Sequence, residues 1–175
     1  MKGLALSLAL LSSLAVAGPV LEFSASDPTW YTQNDTVMGG ISSSRVRIEG
    51  GILKFTGQVR LENNGGFSGI RSNPGRFDLS GYSALRLRVK GDGKQYAFQL
   101  GTSTAGGVNY RAEFNTVAGQ WTEVTIPLNT LRPTRFGRQL AGPALDRSKI
   151  SFFGLMVGNG RAEGFALDVD WIRGE

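Results

Sequence analysis

The chain has 175 residues, and its 19 Lys and Arg residues against 14 Asp and Glu residues give a formal net charge of +5. It contains neither histidine nor cysteine. Serine–histidine and cysteine–histidine nucleophiles, histidine-bound zinc and thiol or disulfide chemistry are therefore excluded. The mild basicity comes without a lysine-rich block, so it is typical of a soluble domain rather than of a nucleic-acid-binding protein.

The first 17 residues have the features of a secretory signal peptide. Lys2 precedes an apolar and small stretch from Leu4 to Val16, and Ala15 and Ala17 form an A-x-A pattern. This stretch is shorter than the roughly 20 residues that a membrane-spanning helix requires, which disfavours a retained anchor. We therefore predict an exported protein of the periplasm or extracellular space, with a single domain over residues 18–175 and no membrane span after cleavage.

Alternation of apolar and polar residues recurs along the mature chain. The segments that carry it are "VLEF", "SRVRI", "ILKFTG", "QVRLEN", "FSGIRS", "SALRLRVKG", "KQYAFQLGT", "VNYRAEFNT", "WTEVTIPL" and "GFALDVDWI". "KISFFGLMVG" is apolar on both faces and reads as a central strand. The pattern predicts an all-β protein of about ten antiparallel strands in a jelly-roll sandwich. Each sheet is expected to have one solvent-exposed face.

Two kinds of connection interrupt the alternation. "GDGKQY" at residues 91–96 and "VGNGRAEG" at residues 157–164 are not followed by a helix, so we interpret both as hairpin turns and not as phosphate-binding loops. Residues 126–131 are expected to start a short helical turn. Residues 132–145 are the longest stretch without alternation and are expected to form a functional or mobile loop.

Carboxylates offer one route to catalysis without histidine. Glu62 with Glu113, or Asp168 with Asp170, would suit glycoside hydrolysis, and Asp35, Asp168 or Asp170 would suit calcium. A solvated sheet face explains these residues equally well, and no spacing singles out a metal site. We predict no catalytic residue, metal or cofactor.

Arginines on predicted polar faces offer a route to ligand binding. These are Arg60, Arg71, Arg86, Arg88 and Arg111. On adjacent strands they would form one surface for carboxylate, phosphate or sugar hydroxyl groups, because the guanidinium fork matches planar acceptors. An ordinary hydrated sheet face is the competing interpretation.

Two segments each combine a side-chain amide, a carboxylate and a Gly-Gly pair. They are "QNDTVMGGISSS" at residues 33–44 and "LENNGGFSGIR" at residues 61–71. Turn geometry accounts for much of this composition. It does not account for the apolar Met38 and Phe67, which we expect to be buried. We predict that Glu62, Asn63 and Asn64 organise a turn by bonding to the backbone, against the segment from Asn34 to Gly40.

The sequence resembles the complex I intermediate-associated protein 30 family along nearly the whole mature chain. The resemblance is carried by "NDTVMGGISSS", "FTGQVRLENNGGFSGIRS", "LRLRVKGDGKQYAFQL", "WTEVTIPLNTL", "FGRQL" and "FFGLMVGNGRAEGFALDVDWI". It implies a galactose-binding-like β-sandwich, related in shape to carbohydrate-binding modules, and a role as an assembly factor for respiratory complex I without catalysis. The matching positions are Asn34, Asp35, Met38, Gly39, Gly40, Glu62, Asn63, Asn64, Gly65, Gly66, Phe67, Arg71, Gly91, Asp92, Gly93, Tyr96 and Trp121.

Three functional hypotheses follow. The leading one is a binding protein with an assembly or chaperone-like role, whose partner is an envelope protein or a respiratory-complex subunit. The alternative is a carbohydrate-binding module for cell-surface or extracellular glycan, with Trp30, Tyr31 and Trp121 as stacking candidates. The third is a carboxylate glycosidase. The candidate binding residues are the two Asn-Gly segments together with Arg71, Arg86, Arg88, Arg111 and Arg138; no nucleic-acid partner is expected.

Overall fold

The computed structural model describes residues 18–175; the predicted signal peptide, residues 1–17, lies outside the described residues. The described chain is almost entirely strands joined by short turns. In chain order the strands are β1 (Gly18–Leu21), β2 (Trp30–Thr32), β3 (Ser43–Glu49), β4 (Ile52–Gln58), β5 (Ser68–Ser72), β6 (Ala84–Lys90), β7 (Gln95–Thr102), β8 (Asn109–Asn115), β9 (Trp121–Pro127), β10 (Arg132–Arg135), β11 (Arg138–Gln139), β12 (Ile150–Val157) and β13 (Gly164–Gly174). Single turns of 3-10 helix cover Asp35–Met38, Glu62–Asn64, Leu128–Thr130 and Arg147–Lys149.

The strands form two antiparallel sheets. Sheet 1 has the order β3-β4-β13-β6-β9, and β1 also pairs with β13. Sheet 2 has the order β11-β10-β8-β7-β12-β5-β2. This arrangement confirms the predicted all-β sandwich. None of the helices in residues 18–175 has the length and apolar character that a membrane crossing requires.

The core lies between the inner faces of the two sheets. Leu85, Leu87 and Val89 of β6 face Tyr96, Phe98 and Leu100 of β7 across a continuous buried cluster, as their alternation predicts. β12 lies between β7 and β5 in the interior of sheet 2, which confirms the prediction of a central strand. The doubly apolar sequence of β12 reflects this position.

Two local expectations were wrong. "QVRLEN" is not a strand, because β4 ends at Gln58 and residues 62–64 form a 3-10 turn. Residues 132–145 are not a featureless loop, because β10 and β11 form a hairpin that extends sheet 2 beyond β8. Strands as short as these, and the three-residue β2, leave too few residues for an alternating pattern. The expected helical turn near residue 128 is present.

Five connections cross from one sheet to the other at the same end of the sandwich, which we call the corner end. They are residues 33–42, 59–67, 91–94, 116–120 and 158–163. Their proximity follows from the register, in which Gly164 pairs with Gln58, Asp168 with Lys90 and Val157 with Ser68. Residues 91–94 and 158–163 are therefore not hairpin turns, because the strands that each connects belong to different sheets.

Candidate functional site

The outer face of sheet 1 carries a network of paired charges. Arg86 lies 3.3 Å from Glu123 and 3.0 Å from Glu175, and Lys90 lies 3.1 Å from Asp168. Arg88 pairs with Asp170. These charges neutralise each other, so the outer face of sheet 1 fits the interpretation of a hydrated sheet face.

Trp121 lies under this network. Arg88 and Lys90 cover the Trp121 ring, at 4.8 Å and 5.2 Å from its centre. Trp30 packs against Phe23 at 6.1 Å between ring centres and borders the core. Of the three aromatic residues proposed to stack on sugar, only Tyr31 is well exposed, at 41%.

The carboxylates proposed for catalysis or calcium are engaged elsewhere. Asp168 and Asp170 each have a cationic partner. Glu62 accepts a bond of 3.0 Å from the backbone N–H of Leu61, whereas Glu113 lies on β8 and pairs with Arg111 at 3.1 Å. Within residues 18–175, no three His, Cys, Asp or Glu side chains are placed to share a metal ion.

Asp35 is the structural centre of the two Asn-Gly segments. Its side chain is fully buried, and its carboxylate accepts backbone N–H bonds from Ser42 at 3.0 Å, Gly66 at 2.8 Å and Phe67 at 3.2 Å. The Ser42 hydroxyl also donates to it and accepts a bond from the Arg60 N–H at 2.9 Å. We call this junction of residues 33–42 with residues 59–67 the latch.

The two segments therefore meet as predicted, but Asp35 joins them and Glu62 does not. Burial alone raises the pKa of Asp35, yet the hydrogen bonds from Ser42, Gly66 and Phe67 outweigh it and hold that pKa below the usual value of aspartate. Asp35 is charged at neutral pH and fully bonded, which leaves its carboxylate occupied in a structural role.

The glycines of both motifs make room for this carboxylate. A Cβ atom at Gly40 would lie 2.3 Å from Asp35 Oδ1, and one at Gly65 would lie 2.9 Å from Asp35 Oδ2. Asn63 and Asn64 have φ angles of 56° and 61°. Asparagine tolerates this left-handed region better than most residues, so the turn chemistry of "ENNGG" is explained by backbone geometry.

A second, half-buried carboxylate organises the neighbouring corner. Asp92 accepts bonds from Lys94 Nζ at 3.0 Å, the Tyr96 hydroxyl at 3.0 Å and the Ala166 N–H at 3.0 Å. Burial raises the pKa of Asp92, but these bonds outweigh it and lower the pKa overall. A Cβ atom at Gly91 would lie 2.3 Å from Thr116 Oγ1, so the "GDG" motif is also structural.

The latch holds aliphatic side chains out into solvent. Val37 is 72% exposed and Met38 is 54% exposed, which corrects the expectation that Met38 is buried. Ile41 and Leu61 are also exposed, and they adjoin Ser42 and Arg60, which are hydrogen-bonded to each other. We call Val37, Met38, Ile41 and Leu61 the corner patch.

The outer face of sheet 2 carries a row of polar side chains along one line of the register. Tyr31 pairs with Arg71, Arg71 with Gly154, Gly154 with Gln99, Gln99 with Arg111, and Arg111 with Arg132. The guanidinium of Arg71 stacks on the Phe152 ring at 3.8 Å and donates to Asn109 Oδ1 at 3.4 Å. Burial lowers the pKa of Arg71, and Tyr31 opposes that shift.

This row ends in a cleft of about 480 Å³ between β8 and the β10–β11 hairpin. The polar groups that line it are Arg111, Glu113, Thr130, Arg132, Thr134 and Gln139. Sequence reasoning identified Arg111 and missed the others on β10 and β11, because these strands were not recognised. Gly137 also lines the cleft, which places the hairpin turn at its rim.

Phe136 occupies that turn and is 91% exposed. Its φ angle is 48°, and Gly137 follows with 76°. Two successive positive φ angles are typical of a tight hairpin turn, whose preferred residues are Asn, Asp and Gly. Phe136 is bulky and contributes nothing to the core, and the sequence analysis did not identify it. The signal that could have identified it is a Phe directly before a Gly in a predicted loop.

The arginines do not form the single ligand-binding surface that was one of the two interpretations of the sequence. Arg86 and Arg88 lie on the outer face of sheet 1, whereas Arg71 and Arg111 lie on the outer face of sheet 2, and Arg60 lies at the corner end. The two pairs are on opposite sides of the sandwich because β6 and β8 belong to different sheets. Arg138 pairs with Arg135 across the hairpin, and neither lines the cleft.

Solved structures of carbohydrate-binding modules share this fold. A family 11 carbohydrate-binding module of a cellulosomal cellulase of Clostridium thermocellum superposes with a TM-score of 0.67 at 16% identity, over 91% of this chain and 95% of that chain. The family 11 module of the same organism in complex with a β-1,3-1,4-mixed-linked tetrasaccharide gives 0.65 at 16% identity, over 90% and 94%. At this identity the similarity shows the fold alone.

An agarase structure gives a TM-score of 0.62 at 14% identity, and there the match covers 91% of this chain but only 24% of the agarase chain. Comparison with curated protein sequences gives no match. The sequence model of the family described as Complex I intermediate-associated protein 30 matches residues 21–169.

Proposed function

Because the chain belongs to the complex I intermediate-associated protein 30 family, we propose that it is an exported, non-enzymatic binding protein with an assembly or chaperone-like role toward other proteins. The observation that carries this proposal is the corner patch. Four exposed aliphatic side chains lie on the motifs most characteristic of the family.

The latch gives the patch a fixed shape. Asp35 bonds to both segments that supply the patch, so Val37 and Met38 are held relative to Leu61 before any partner arrives. A preorganised apolar surface loses little conformational entropy on binding. Clustered exposed apolar side chains are typical of protein interaction sites.

Charge adjoins this apolar surface on one side. Arg60 is exposed, and it makes no salt bridge within residues 18–175. The chemistry of the patch therefore fits a partner that presents an apolar anchor with a carboxylate beside it. Envelope proteins and respiratory-complex subunits are the partner class that we propose.

Affinity recovery from envelope extracts tests the proposal. The tagged mature protein is compared with the triple variant Val37→Ser, Met38→Ser, Leu61→Ser, and with Ile48→Ser as a control at an exposed aliphatic residue on β3. We expect the native protein and the Ile48 variant to recover the same protein partner, and the triple variant to recover at least tenfold less. Equal recovery by all three, or no reproducible partner, would contradict the proposal.

The cleft beside Phe136 favours a second candidate function, carbohydrate binding. A polar cleft of about 480 Å³, whose lining includes Gly137 next to the exposed Phe136, fits one or two sugar units. Calorimetry against a panel of cell-surface and extracellular glycans tests this candidate. Absence of binding at millimolar sugar concentration would exclude carbohydrate binding as a function.

A further inference from the structure

Resting on the carbohydrate-binding candidate, we propose that the cleft between β8 and the β10–β11 hairpin selects acidic saccharides. A carboxylate or sulfate group of the sugar binds between Arg111 and Arg132, and a sugar ring stacks on Phe136. This assigns a ligand class to the cleft and a role to a hairpin that the latch and the corner patch leave unexplained.

The first support is a like-charge pair at the base of the cleft. Arg111 and Arg132 are directly opposite each other on neighbouring antiparallel strands, and both line the cleft. Cβ atoms of such a pair lie about 4.5–5.5 Å apart, and like charges at this position destabilise a sheet. An oxyanion between the two guanidinium groups removes that repulsion and gains charge-assisted hydrogen bonds.

The second support is the contrast between the cleft and the paired charges of β6. On sheet 1, Arg86, Arg88 and Lys90 each have a carboxylate partner. At the cleft, Glu113 pairs with Arg111, and Arg132 has no carboxylate partner within residues 18–175. One positive charge of the cleft is therefore left for a ligand.

The remaining lining favours a saccharide over a nucleic acid. Thr130, Thr134 and Gln139 offer both donors and acceptors, and the Glu113 carboxylate accepts only. Sugar hydroxyl groups can donate to Glu113, whereas the phosphodiester groups of a nucleic acid carry no hydrogen-bond donor. A saccharide that carries oxyanions together with many hydroxyl groups matches this combination.

The third support is the backbone of Phe136. A non-glycine residue in the left-handed region is strained, and such strain tends to occur at functional sites. Phe136 is 91% exposed, so core packing does not compensate for this strain. A phenylalanine that is favoured neither by its turn nor by burial is explained by contact with a ligand.

Calorimetry with matched pairs of oligosaccharides tests the ligand class. Tetragalacturonate is compared with its methyl ester, which keeps the sugar and removes the charge. A sulfated galactan tetrasaccharide is compared with the unsulfated one, so that the source of the oxyanion is distinguished. Sodium sulfate and a single-stranded oligonucleotide complete the set of probes.

Three single variants test the residues. Phe136→Asn keeps a residue that suits the turn, and Arg132→Gln removes the partnerless charge. Arg138→Gln is the matched control, because it removes the same charge from the same hairpin outside the cleft lining. Melting temperatures of all three show whether the fold is intact.

We expect at least one acidic oligosaccharide to bind tenfold or more tightly than its neutral counterpart, with affinity falling as salt is added. Phe136→Asn and Arg132→Gln should each weaken that binding about tenfold while the melting temperature stays the same or rises. Arg138→Gln should change it less than twofold. Stability that falls in step with binding would indicate a structural role only and would overturn the assignment of these residues.

The other outcomes separate this inference from the function on which it rests. Equal affinity for acidic and neutral oligosaccharides would overturn the inference and leave carbohydrate binding in place. No binding of any oligosaccharide would remove both. Sodium sulfate or the oligonucleotide binding as tightly as the best saccharide would overturn the inference in favour of a simple anion or a nucleic acid.

Discussion

At the scale of single residues, Asp35 explains most of the two family motifs. Four donors from two segments converge on its buried carboxylate, and two glycines leave room for it. Removing one partner from a buried hydrogen-bonded group leaves the others unsatisfied, at a cost of about 1–3 kcal/mol for each group. Asp35 therefore stabilises the fold, and the residues that it positions are the candidates for function.

Asp35→Ala should lower the free energy of unfolding by at least about 3 kcal/mol, because Ser42, Gly66 and Phe67 lose their acceptor. Glu62→Gln is the matched control: Glu62 is exposed and bonds only to the neighbouring Leu61 N–H, so its effect should stay within about 0.5 kcal/mol. Urea denaturation followed by circular dichroism measures both. Similar losses for the two variants would refute the latch.

The pH dependence of stability should report the same carboxylate. The folded-state pKa of Asp35 is lower than 3.8, the ordinary pKa of aspartate, so Asp35 contributes stability above pH 3.8 and loses it as the pH falls below that value. Asp92 acts in the same direction. We expect the unfolding free energy of Asp35→Asn to fall less steeply below pH 4 than that of the native protein; parallel curves would contradict this.

At the scale of elements, the corners between sheets depend on glycines that have specific neighbours. Gly40→Ala would place Cβ against the Asp35 carboxylate, whereas Gly81 has open space and no positive φ angle. Gly40→Ala should therefore lower the melting temperature by several degrees, and Gly81→Ala should leave it unchanged or slightly raised. A thermal scan in which both variants melt together would contradict the close approach.

The turn within "ENNGG" gives a second prediction at this scale. Asn64 has a φ angle of 61°, where a residue with a Cβ atom costs about 1–2 kcal/mol and glycine costs nothing. Asn64→Ala should destabilise the protein by about 1 kcal/mol, and Asn64→Gly should not. Chemical denaturation distinguishes the two, and an equal loss in both variants would show that the Asn64 side chain, rather than its backbone, matters.

At the scale of the whole molecule, one core joins both sheets, and five corners close one end of it. The alternating pattern was sufficient to predict the fold class, the inward residues of β6 and β7, and the central position of β12. Local sequence did not predict which consecutive strands belong to different sheets. The Asp-Gly at residues 92–93 has the composition of a hairpin turn, and only the three-dimensional arrangement shows that it joins two sheets.

The candidate site was less predictable than the fold. The motif residues indicated where the family signature lies, but burial decides that Asp35 is structural while Met38 is exposed, and burial is a property of the assembled sandwich. The cleft was missed because β10 and β11 are too short to give an alternating pattern. The arginines were grouped by sequence, whereas sheet membership separates Arg86 and Arg88 from Arg71 and Arg111.

A shared core predicts that the two sheets unfold together. Trp30 lies in sheet 2, and Trp121 and Trp171 lie in sheet 1, so tryptophan fluorescence samples both. We expect fluorescence and far-ultraviolet circular dichroism to give coincident urea transitions. Separate midpoints would show that the sheets are independent units and that the latch does not couple them.

We propose above all that the family motifs form a preorganised protein-binding surface at the corner end. Hydrogen–deuterium exchange of the chain, alone and in complex with the partner recovered from envelope extracts, is the decisive test of this proposal. We expect binding to slow exchange in residues 34–42 and 59–67 and to leave the strands of sheet 1 unchanged away from the corner end. Protection of the outer face of sheet 1 without protection of these two segments would contradict it.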